Sequence, residues 1–532
     1  MPILDAMTSR VSHVVVVGSG GAALMTALVA ASSGLRVHVL ERTQLLGGTT
    51  AISGGGMWIP AHPLMDKDCM SDAMDYLRRL TLGRVDEQLL ASFVDTGPEM
   101  VQFLLDCTRL ELFRVERPDY HPSWQGAREG RSIEPLPFET SALGEHLRQL
   151  RYSTTRGPVT SKESRTGVDV LEVEARLQRG VRTQGAALVA GLVEACLDHK
   201  VHFALGVRIT ELTLSNGRCT GVASDDGRQF GATKAVVIAS GGFEWNAALV
   251  QAHLPAAEIF PTTPPGNEGD GLLMGIRAGA AVDNMSEAWW TAAVQIPGQE
   301  YDGMVFTRNI VRELALPGSI LVNAEARRFV NEASSYNDLG KAMLNFDVAS
   351  WSYPNLAPWL IVDERFRRRY PISGSPITEN PPPWMASSDT ISGLAEAIGL
   401  EGAQLAATVD NFNRMASVGR DDDFGRGGDV HGLYYGDPAA QTLNPCLGAL
   451  LMPPFHAIRI VAGSNGTKGG LVTDRDGRVM SGAEQSIAGL YACGNVAASI
   501  MGPGYPGHGG SLGPILTAAY RCGRAIASSA ED

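Results

Sequence analysis

Charge is scarce in this chain of 532 residues, where Lys, Arg, Asp and Glu together supply 19%, below the quarter or so typical of globular domains. With hydrophobic residues at 44%, the shortage excludes intrinsic disorder, which needs low hydrophobicity and high net charge. Positive charge is the scarcer sign. The 44 Lys and Arg face 57 Asp and Glu, for a net charge of −13, which argues against nucleic acid and anionic membrane surfaces as partners. Blocks of like charge are missing as well, the nearest being Asp421–Asp423. The seven cysteines (Cys69, Cys107, Cys196, Cys219, Cys446, Cys493 and Cys522) are scattered and never form a C-x-x-C pair. That argues against a disulfide framework and a zinc site and suits a reducing, cytoplasmic setting. No Ser-His-Asp or metal-ligand pattern emerges, so no metal is expected. Met1–His13 lacks a charged segment followed by an apolar one, so no secretory signal is expected. Val14–Leu35 is long and apolar, but Gly18, Gly20, Gly21, Ser32, Ser33 and Gly34 interrupt it. It reads as part of a soluble fold, and no transmembrane segment is expected.

Glycine, by contrast, is abundant. There are 61, where average usage would give roughly 37. They show no three-residue period, which excludes a collagen helix. They gather instead at 18–21, 47–56, 241–242, 466–470 and 502–513. The first gathering follows the β-branched run Val14–Val17 and precedes a helical pattern over 22–33, after which 36–40 resumes as a strand ending at Glu41. This is a complete strand–helix–strand unit. Within it, Gly18-x-Gly20-x-x-Ala23 has the spacing of a dinucleotide fingerprint. The first position permits the tight turn, the second lets backbone approach a pyrophosphate, and the third allows close helix–strand packing. The helix N-terminus would face the phosphates and Glu41 the adenosine ribose.

Further on, the spacing predicts helices over 71–82, 86–94 and 184–199. Gly97 is expected to break the second of these, and Pro98 to open a separate one running to Leu105. Strands are expected over 201–211, 219–223 and 235–240. Residues 146–170 lack a period and read as a surface excursion. From about 283 to 455 the strand–helix rhythm stops, and Trp289, Trp290, Trp351, Trp359 and Trp384 appear, so an inserted domain is expected there. Trp289 and Trp290 could wall a pocket or fill a core. Asp119 and Glu116 read as solvated loop charges.

The glycine runs Gly47-Gly48-Thr49-Thr50 and Ser53-Gly54-Gly55-Gly56-Met57-Trp58, with Gly489-Leu490-Tyr491-Ala492-Cys493-Gly494-Asn495 near the C-terminus, resemble segments of flavoproteins related to the succinate dehydrogenase and fumarate reductase flavoprotein subunits. The resemblance implies FAD. It also implies an α/β fold: a Rossmann-like FAD-binding domain of residues 1–282 and 456–532, carrying an inserted α+β catalytic domain of residues 283–455. The cofactor contacts expected on this basis are Gly18, Gly20, Gly21, Ala22, Glu41, Arg42, Gly47, Gly48, Thr49, Ser53, Gly54, Gly55, Gly56, Gly242, Gly494, Asn495, Ser511 and Leu512. No histidine lies between Glu41 and Ala61, where covalent attachment in the quinone-coupled members requires one, so the flavin is expected to be noncovalent.

A narrower resemblance rests on Pro118-Asp119-Tyr120-His121-Pro122, Leu136-Pro137-Phe138, Leu316-Pro317-Gly318-Ser319, Arg327-Arg328-Phe329-Val330-Asn331-Glu332-Ala333 and Tyr505-Pro506-Gly507-x-Gly509. These motifs are similar to those of the 3-ketosteroid Δ1-dehydrogenases, FAD-dependent oxidoreductases acting on CH–CH bonds in steroid degradation. The resemblance implies that Tyr336 abstracts the proton beside a ketone while hydride leaves the next carbon for flavin N5. It implies further that Tyr120 assists Tyr336, and that the Tyr505 hydroxyl and the Gly509 N–H polarise the ketone oxygen. The implied partners are a small apolar ketone, steroid or cyclic, and an external electron acceptor. His508 stands where the family usually has a smaller residue and is expected to face solvent. Two departures, a shorter 146–183 segment and the proline-rich 371–384 region, leave open a smaller ring, as in cyclohexanone dehydrogenases. A fumarate-reductase-like ene reductase would instead need arginine clamps, for which Arg327 and Arg328 are the candidates.

Overall fold

In a computed structural model, residues 11–153, 157–256, 258–374 and 376–529 are described. The N-terminal stretch considered for a secretory signal lies outside these as far as Arg10, as do residues 154–156 of the 146–183 segment. The valine run forms strand β1 (Val11–Val17), the glycine turn leads into helix α1 (Gly21–Ser32), and the chain returns as β2 (Val37–Glu41). Successive strand residues point to opposite faces. Val14 and Val16 accordingly join the core around α1, while Val15 and Val17 join the core on the other side. A strand buried on both faces has no need of polar alternation.

The expected break at Gly97 does not occur. One helix, α2 (Glu87–Cys107), runs straight through Pro98. Its apolar stripe, from Leu90, Phe93 and Val94 to Met100, Val101 and Leu104, is buried along its whole length. Continuous packing of that stripe outweighs the hydrogen bond that proline removes.

Next come α3 (Gln184–Asp198), β3 (His202–Leu205), an antiparallel hairpin of Ile209–Ser215 with Arg218–Ser224, and β4 (Gln229–Ile238). Two further sheets succeed them. One contains β5 (Ala288–Tyr301) and β6 (Val461–Thr467), and helix α4 (Tyr336–Met343) lies on β5. The other pairs Ser319–Val322, Trp359–Val362 and Phe455–Arg459. The chain ends with β7 (Ser486–Ala492) and α5 (Leu512–Ser528).

The parallel strands lie in the order β7, β4, β1, β2, β3, so β1 and its glycine turn sit near the middle of the sheet. Helices α3 and α5 pack against α1. The carboxyl ends of β1, β2, β4 and β7 open on one crevice, the position where ligands bind in sheets of this kind. Among the described residues no helix is long and apolar enough to cross a membrane.

Gly18 makes the turn at the end of β1 possible. Its φ is +106°, and a Cβ there would lie 2.4 Å from the carbonyl oxygen of Ala239. Gly18→Ala is therefore expected to destabilise the fold by at least about 1–2 kcal/mol. A thermal unfolding scan checks this, and an unchanged midpoint would contradict it.

Candidate active site

The crevice is a cavity of about 510 Å³, within the range of small-molecule and cofactor sites. Of the residues expected to contact a cofactor, Gly18, Gly20, Gly21, Ala22, Glu41, Arg42, Gly48, Thr49, Ser53, Gly54, Gly55, Gly56, Gly494, Asn495, Ser511 and Leu512 line it. Gly47 and Gly242 do not line it, whereas Gly241 does. Tyr336, Tyr505 and Gly509 line it too, and Tyr120 sits behind them.

The lining fits an elongated anionic dinucleotide. Helix α1 has Gly20 at its N-cap and no acidic residue in its first turn, so no charged side chain of that turn compensates its positive end, although Thr50 Oγ1 accepts the Gly21 N–H at 3.0 Å. A Cβ on Gly20 would meet no protein atom closer than 3.9 Å, so protein packing does not require the glycine. Helix α5 likewise brings an N-terminus without acidic residues to the cavity through Ser511 and Leu512. Ser240 Oγ lines the cavity, buried and without a hydrogen-bond partner among the described residues. At the far end Glu41 is fixed by Ser19 Oγ (2.7 Å) and the Thr43 N–H (2.8 Å), and Arg42 donates to the Gly266 carbonyl at 2.8 Å.

The opposite end is aromatic. Tyr336 opens α4, whose N-cap Ser335 accepts from the Asp338 N–H at 3.2 Å. Gly340 lets this helix lie on β5, since a Cβ there would sit 2.7 Å from Trp290 Cβ. Ring centroids of Tyr336 and Tyr505 are 5.1 Å apart, of Tyr120 and Tyr336 5.6 Å, and of Tyr120 and Tyr505 5.5 Å. Trp289 crosses Tyr505 edge-on at 5.2 Å and donates to Asn495 Oδ1. Trp289 therefore walls the cavity, while Trp290 bonds Glu287 inside the core. The Tyr505 hydroxyl donates to Ser511 Oγ at 3.4 Å. The Tyr120 hydroxyl is buried beside Tyr336, and among the described residues no hydrogen bond of full geometry takes it up. Burial pushes the hydroxyls of all three tyrosines above their ordinary pKa, Tyr336 well above it, with Tyr120 and Tyr505 adding to the rise at Tyr336.

The Gly509 carbonyl accepts from the Trp58 and Gly513 N–H groups, and no protein acceptor among the described residues takes its own N–H. Its φ is +86°, and a Cβ would lie 2.3 Å from the carbonyl carbon of Gly56. Here, too, only glycine fits.

Three expectations need correction. Asp119 is not solvated. It accepts from Trp58 Nε1 (2.6 Å) and the Arg128 N–H (2.9 Å) and pairs with Arg131 (3.0 Å), and burial pushes its carboxyl up to about 6. It thereby fixes the turn carrying Tyr120, whose N–H donates to the Pro506 carbonyl. His508 does not face solvent but lines the cavity, with Nε2 2.7 Å from the fully buried Glu134. Arg327 and Arg328 do not reach the cavity. Arg328 is buried between Glu332 and Asp421, and Arg327 is an exposed partner of Glu325.

The residues that escaped the sequence reading are Arg117, Arg165, Tyr434 and Tyr435, all lining the aromatic end. Arg117 stands three positions before Tyr120, which is the one signal that could have drawn attention to it. The 146–170 stretch, read as a surface excursion, supplies Arg151, Ser161, Ser164 and Arg165 to the lining. Among the described residues no group of three or more His, Cys, Asp or Glu side chains is arranged to hold a metal ion.

Comparison with known proteins agrees with this geometry. The FAD binding domain family model matches residues 13–512. The chain is 38% identical to 4-oxocyclohexanecarboxylate 2-dehydrogenase of Sinomonas cyclohexanicum, over 97% of this chain and 93% of that one. It is 34% identical to 3-oxosteroid 1-dehydrogenase of Mycolicibacterium smegmatis, over 98% of each. It superposes on the crystal structure of 3-ketosteroid delta1-dehydrogenase from Sterolibacterium denitrificans in complex with 1,4-androstadiene-3,17-dione with a TM-score of 0.92 at 35% identity, covering 98% of this chain and 100% of that one.

The His508–Glu134 pair carries a prediction of its own. His508 and the Ser161 N–H hold the Glu134 carboxyl below its usual pKa against the effect of burial. A depressed carboxyl pKa contributes stability that is present above the unfolded-state value and lost as pH falls through the folded one. His508→Ala should therefore lower the thermal midpoint at pH 7, a cost of about 1–3 kcal/mol for a buried carboxylate losing a partner. The deficit should shrink towards pH 4. A deficit that does not vary with pH would contradict the assignment.

Proposed function

The chain belongs to the FAD-binding family that includes the 3-oxosteroid 1-dehydrogenases, and we propose accordingly that it desaturates a ring ketone as a 3-oxosteroid 1-dehydrogenase does. The reaction removes a proton from the carbon beside the carbonyl and a hydride from the next carbon. One observation carries this reading: three tyrosine rings within 5.1–5.6 Å of one another, two of them lining the same cavity as the dinucleotide fingerprint. When bound, FAD supplies the two-electron acceptor for the hydride. Gly18, Gly20, Gly21, Ala22, Glu41 and Arg42 would hold its dinucleotide part, and Ser53–Gly56, Gly494, Asn495, Ser511 and Leu512 the remainder. Gly47 and Gly242 would act as backbone supports rather than contacts.

The remaining work falls to the protein. An enolate developing in an apolar cavity needs donors aimed at its oxygen. Tyr505 Oη and the Gly509 N–H are that pair. Tyr336 takes the α-proton through its phenolic oxygen. Its raised pKa makes the phenolate scarce at neutral pH, and the neighbouring Tyr120 hydroxyl is available to donate to that oxygen as it becomes anionic. Trp289 and the tyrosine rings exclude water, which strengthens each of these interactions. An external acceptor of unassigned identity completes the cycle. The division into 1–282 with 456–532 and 283–455 belongs to the same proposal, with the second unit contributing Tyr336.

A smaller ring is the second reading, favoured by the match to the Sinomonas enzyme, whose substrate has a single ring. Anaerobic incubation of the holoenzyme with 4-androstene-3,17-dione, with cyclohexanone and with 4-oxocyclohexanecarboxylate tests the proposal: at least one should bleach the flavin, and bleaching by none would overturn it.

The mechanism can be tested residue by residue. Tyr336→Phe should retain FAD but bleach at least about 100-fold more slowly, as expected on losing a general base; full activity would remove Tyr336 from the mechanism. Because the scarce phenolate is the reactive form, the wild-type bleaching rate should rise up to about tenfold per pH unit between pH 7 and 9, and a plateau beginning below pH 7 would contradict a raised pKa. The flavin should be noncovalent, so acid precipitation should leave FAD in the supernatant and a colourless pellet. A yellow pellet would show a covalent bond.

A further inference from the structure

Arg117 is a buried cation with no counterion among the described residues. It is 8% exposed and lines the cavity. Among the described residues no carboxylate lies within salt-bridge distance of it, and its Nε donates to nothing. The other buried arginines of the chain show how unusual this is. Arg131 pairs with Asp68 and Asp119, Arg151 with Asp302, Arg176 with Glu163 and Glu172, Arg328 with Glu332 and Asp421, Arg367 with Glu364, and Arg426 with Glu332. Leaving a guanidinium buried and unpaired costs several kcal/mol. Arg117 offsets part of this by lying 4.8 Å from the ring centroid of Tyr435, 5.0 Å from that of Tyr434 and 5.9 Å from that of Tyr120.

A second cation converges on the same place. Arg165 is exposed at the cavity rim, with its guanidinium 3.7 Å from the Tyr434 ring centroid, and it too has no carboxylate partner among the described residues. The acidic side chains that line the cavity, Glu41 and Asp270, belong to the opposite end, with Arg42. Among the described residues no acid lines the aromatic end; Arg151 and Arg312 line the cavity as well, Arg151 paired with Asp302, while Arg117 and Arg165 share the Tyr434 ring. Two like charges beside one tyrosine, one of them buried, form a site for an anion.

We propose that Arg117, with Arg165 at the rim, is the anchor for a carboxylate on the ring ketone, so that the substrate is a small alicyclic keto acid rather than a neutral ketone. This inference rests on the desaturase reading above for the ketone, and on Arg117 alone for the anion. The spacing favours one ring. The Arg117 guanidinium lies 5.9 Å from the Tyr120 ring centroid, and that centroid is 5.5 Å from the centroid of Tyr505, which holds the ketone oxygen in that reading. On a cyclohexanone, a carboxylate on the carbon opposite the carbonyl lies about 6 Å from the ketone oxygen, counted from ordinary bond lengths. A carboxylate on the side chain of a four-ring steroid would lie well beyond that.

The test separates the anion site from the reaction. Cyclohexanecarboxylate has the ring and the charge but no ketone, and cyclohexanecarboxamide has neither charge nor ketone. Both can be titrated against holoenzyme through the perturbation of the flavin absorption band. Wild type should prefer the acid by about 10- to 100-fold, the range of a hydrogen bond to a charged group. Arg117→Leu should abolish that preference while retaining FAD, and Arg117→Lys should keep part of it. Equal binding of acid and amide by wild type, or an undiminished preference in Arg117→Leu, would overturn the proposal. If the acid preference depends on Arg117 but neither 4-oxocyclohexanecarboxylate nor any neutral ketone bleaches the flavin, the anion site stands and the desaturase reading falls.

Discussion

The site depends on one backbone contact between the two ends of the chain. Gly509 lies against Gly56 so closely that a Cβ would stand 2.3 Å from the Gly56 carbonyl carbon, and its carbonyl accepts the Trp58 N–H at 3.0 Å. That contact locks the Tyr505–Gly509 turn onto the glycine run beyond the first strand–helix–strand unit. Its supports converge on the same turn. The Pro506 carbonyl takes the hydroxyl of Tyr76 and the N–H of Tyr120, and the His508 carbonyl takes the hydroxyl of Ser132. Asp119, through Trp58 and Arg131, ties the Tyr120 turn to the same wall. These backbone groups bring the Tyr120 and Tyr505 turns together, and α4, seated on β5 through Gly340, brings Tyr336 to them.

Desolvation then acts in two directions at once. The aromatic walls that let an apolar ring enter also raise the pKa of each tyrosine, which opposes the use of any of them as a base. The arrangement answers this with hydroxyl neighbours rather than with a strong base. The same dry environment makes Arg117 costly to leave unpaired and effective once paired. In the proposed reaction, proton abstraction and anion recognition would thus draw on one physical property of the cavity.

Much of this was legible in the sequence, and the reasons differ by residue. The fingerprint at Gly18 and Gly20 could be read because backbone geometry at a strand–helix turn is local and leaves spacing as its trace. The tyrosines could be read only through resemblance, since nothing local distinguishes Tyr336 from a packing tyrosine. Pro98 misled because the stripe that carries α2 through it is satisfied by tertiary packing. Asp119, His508 and Arg117 escaped for one shared reason. Whether a charged side chain is buried, and with what partner, depends on segments far away in sequence. Gly47 and Gly242 show the converse: glycines inside recognisable runs that do not line the cavity.

Every functional role assigned to these residues requires the tyrosine end of the cavity to receive a ring ketone in one orientation. A crystal structure of the oxidised holoenzyme of Tyr336→Phe, soaked with 4-oxocyclohexanecarboxylate, would show that orientation. The ketone oxygen should lie within hydrogen-bond distance of Tyr505 Oη and the Gly509 N–H, with the α-carbon facing residue 336 and the carboxylate on the Arg117 guanidinium. A ring bound with its ketone oxygen away from Tyr505 and Gly509 would contradict it.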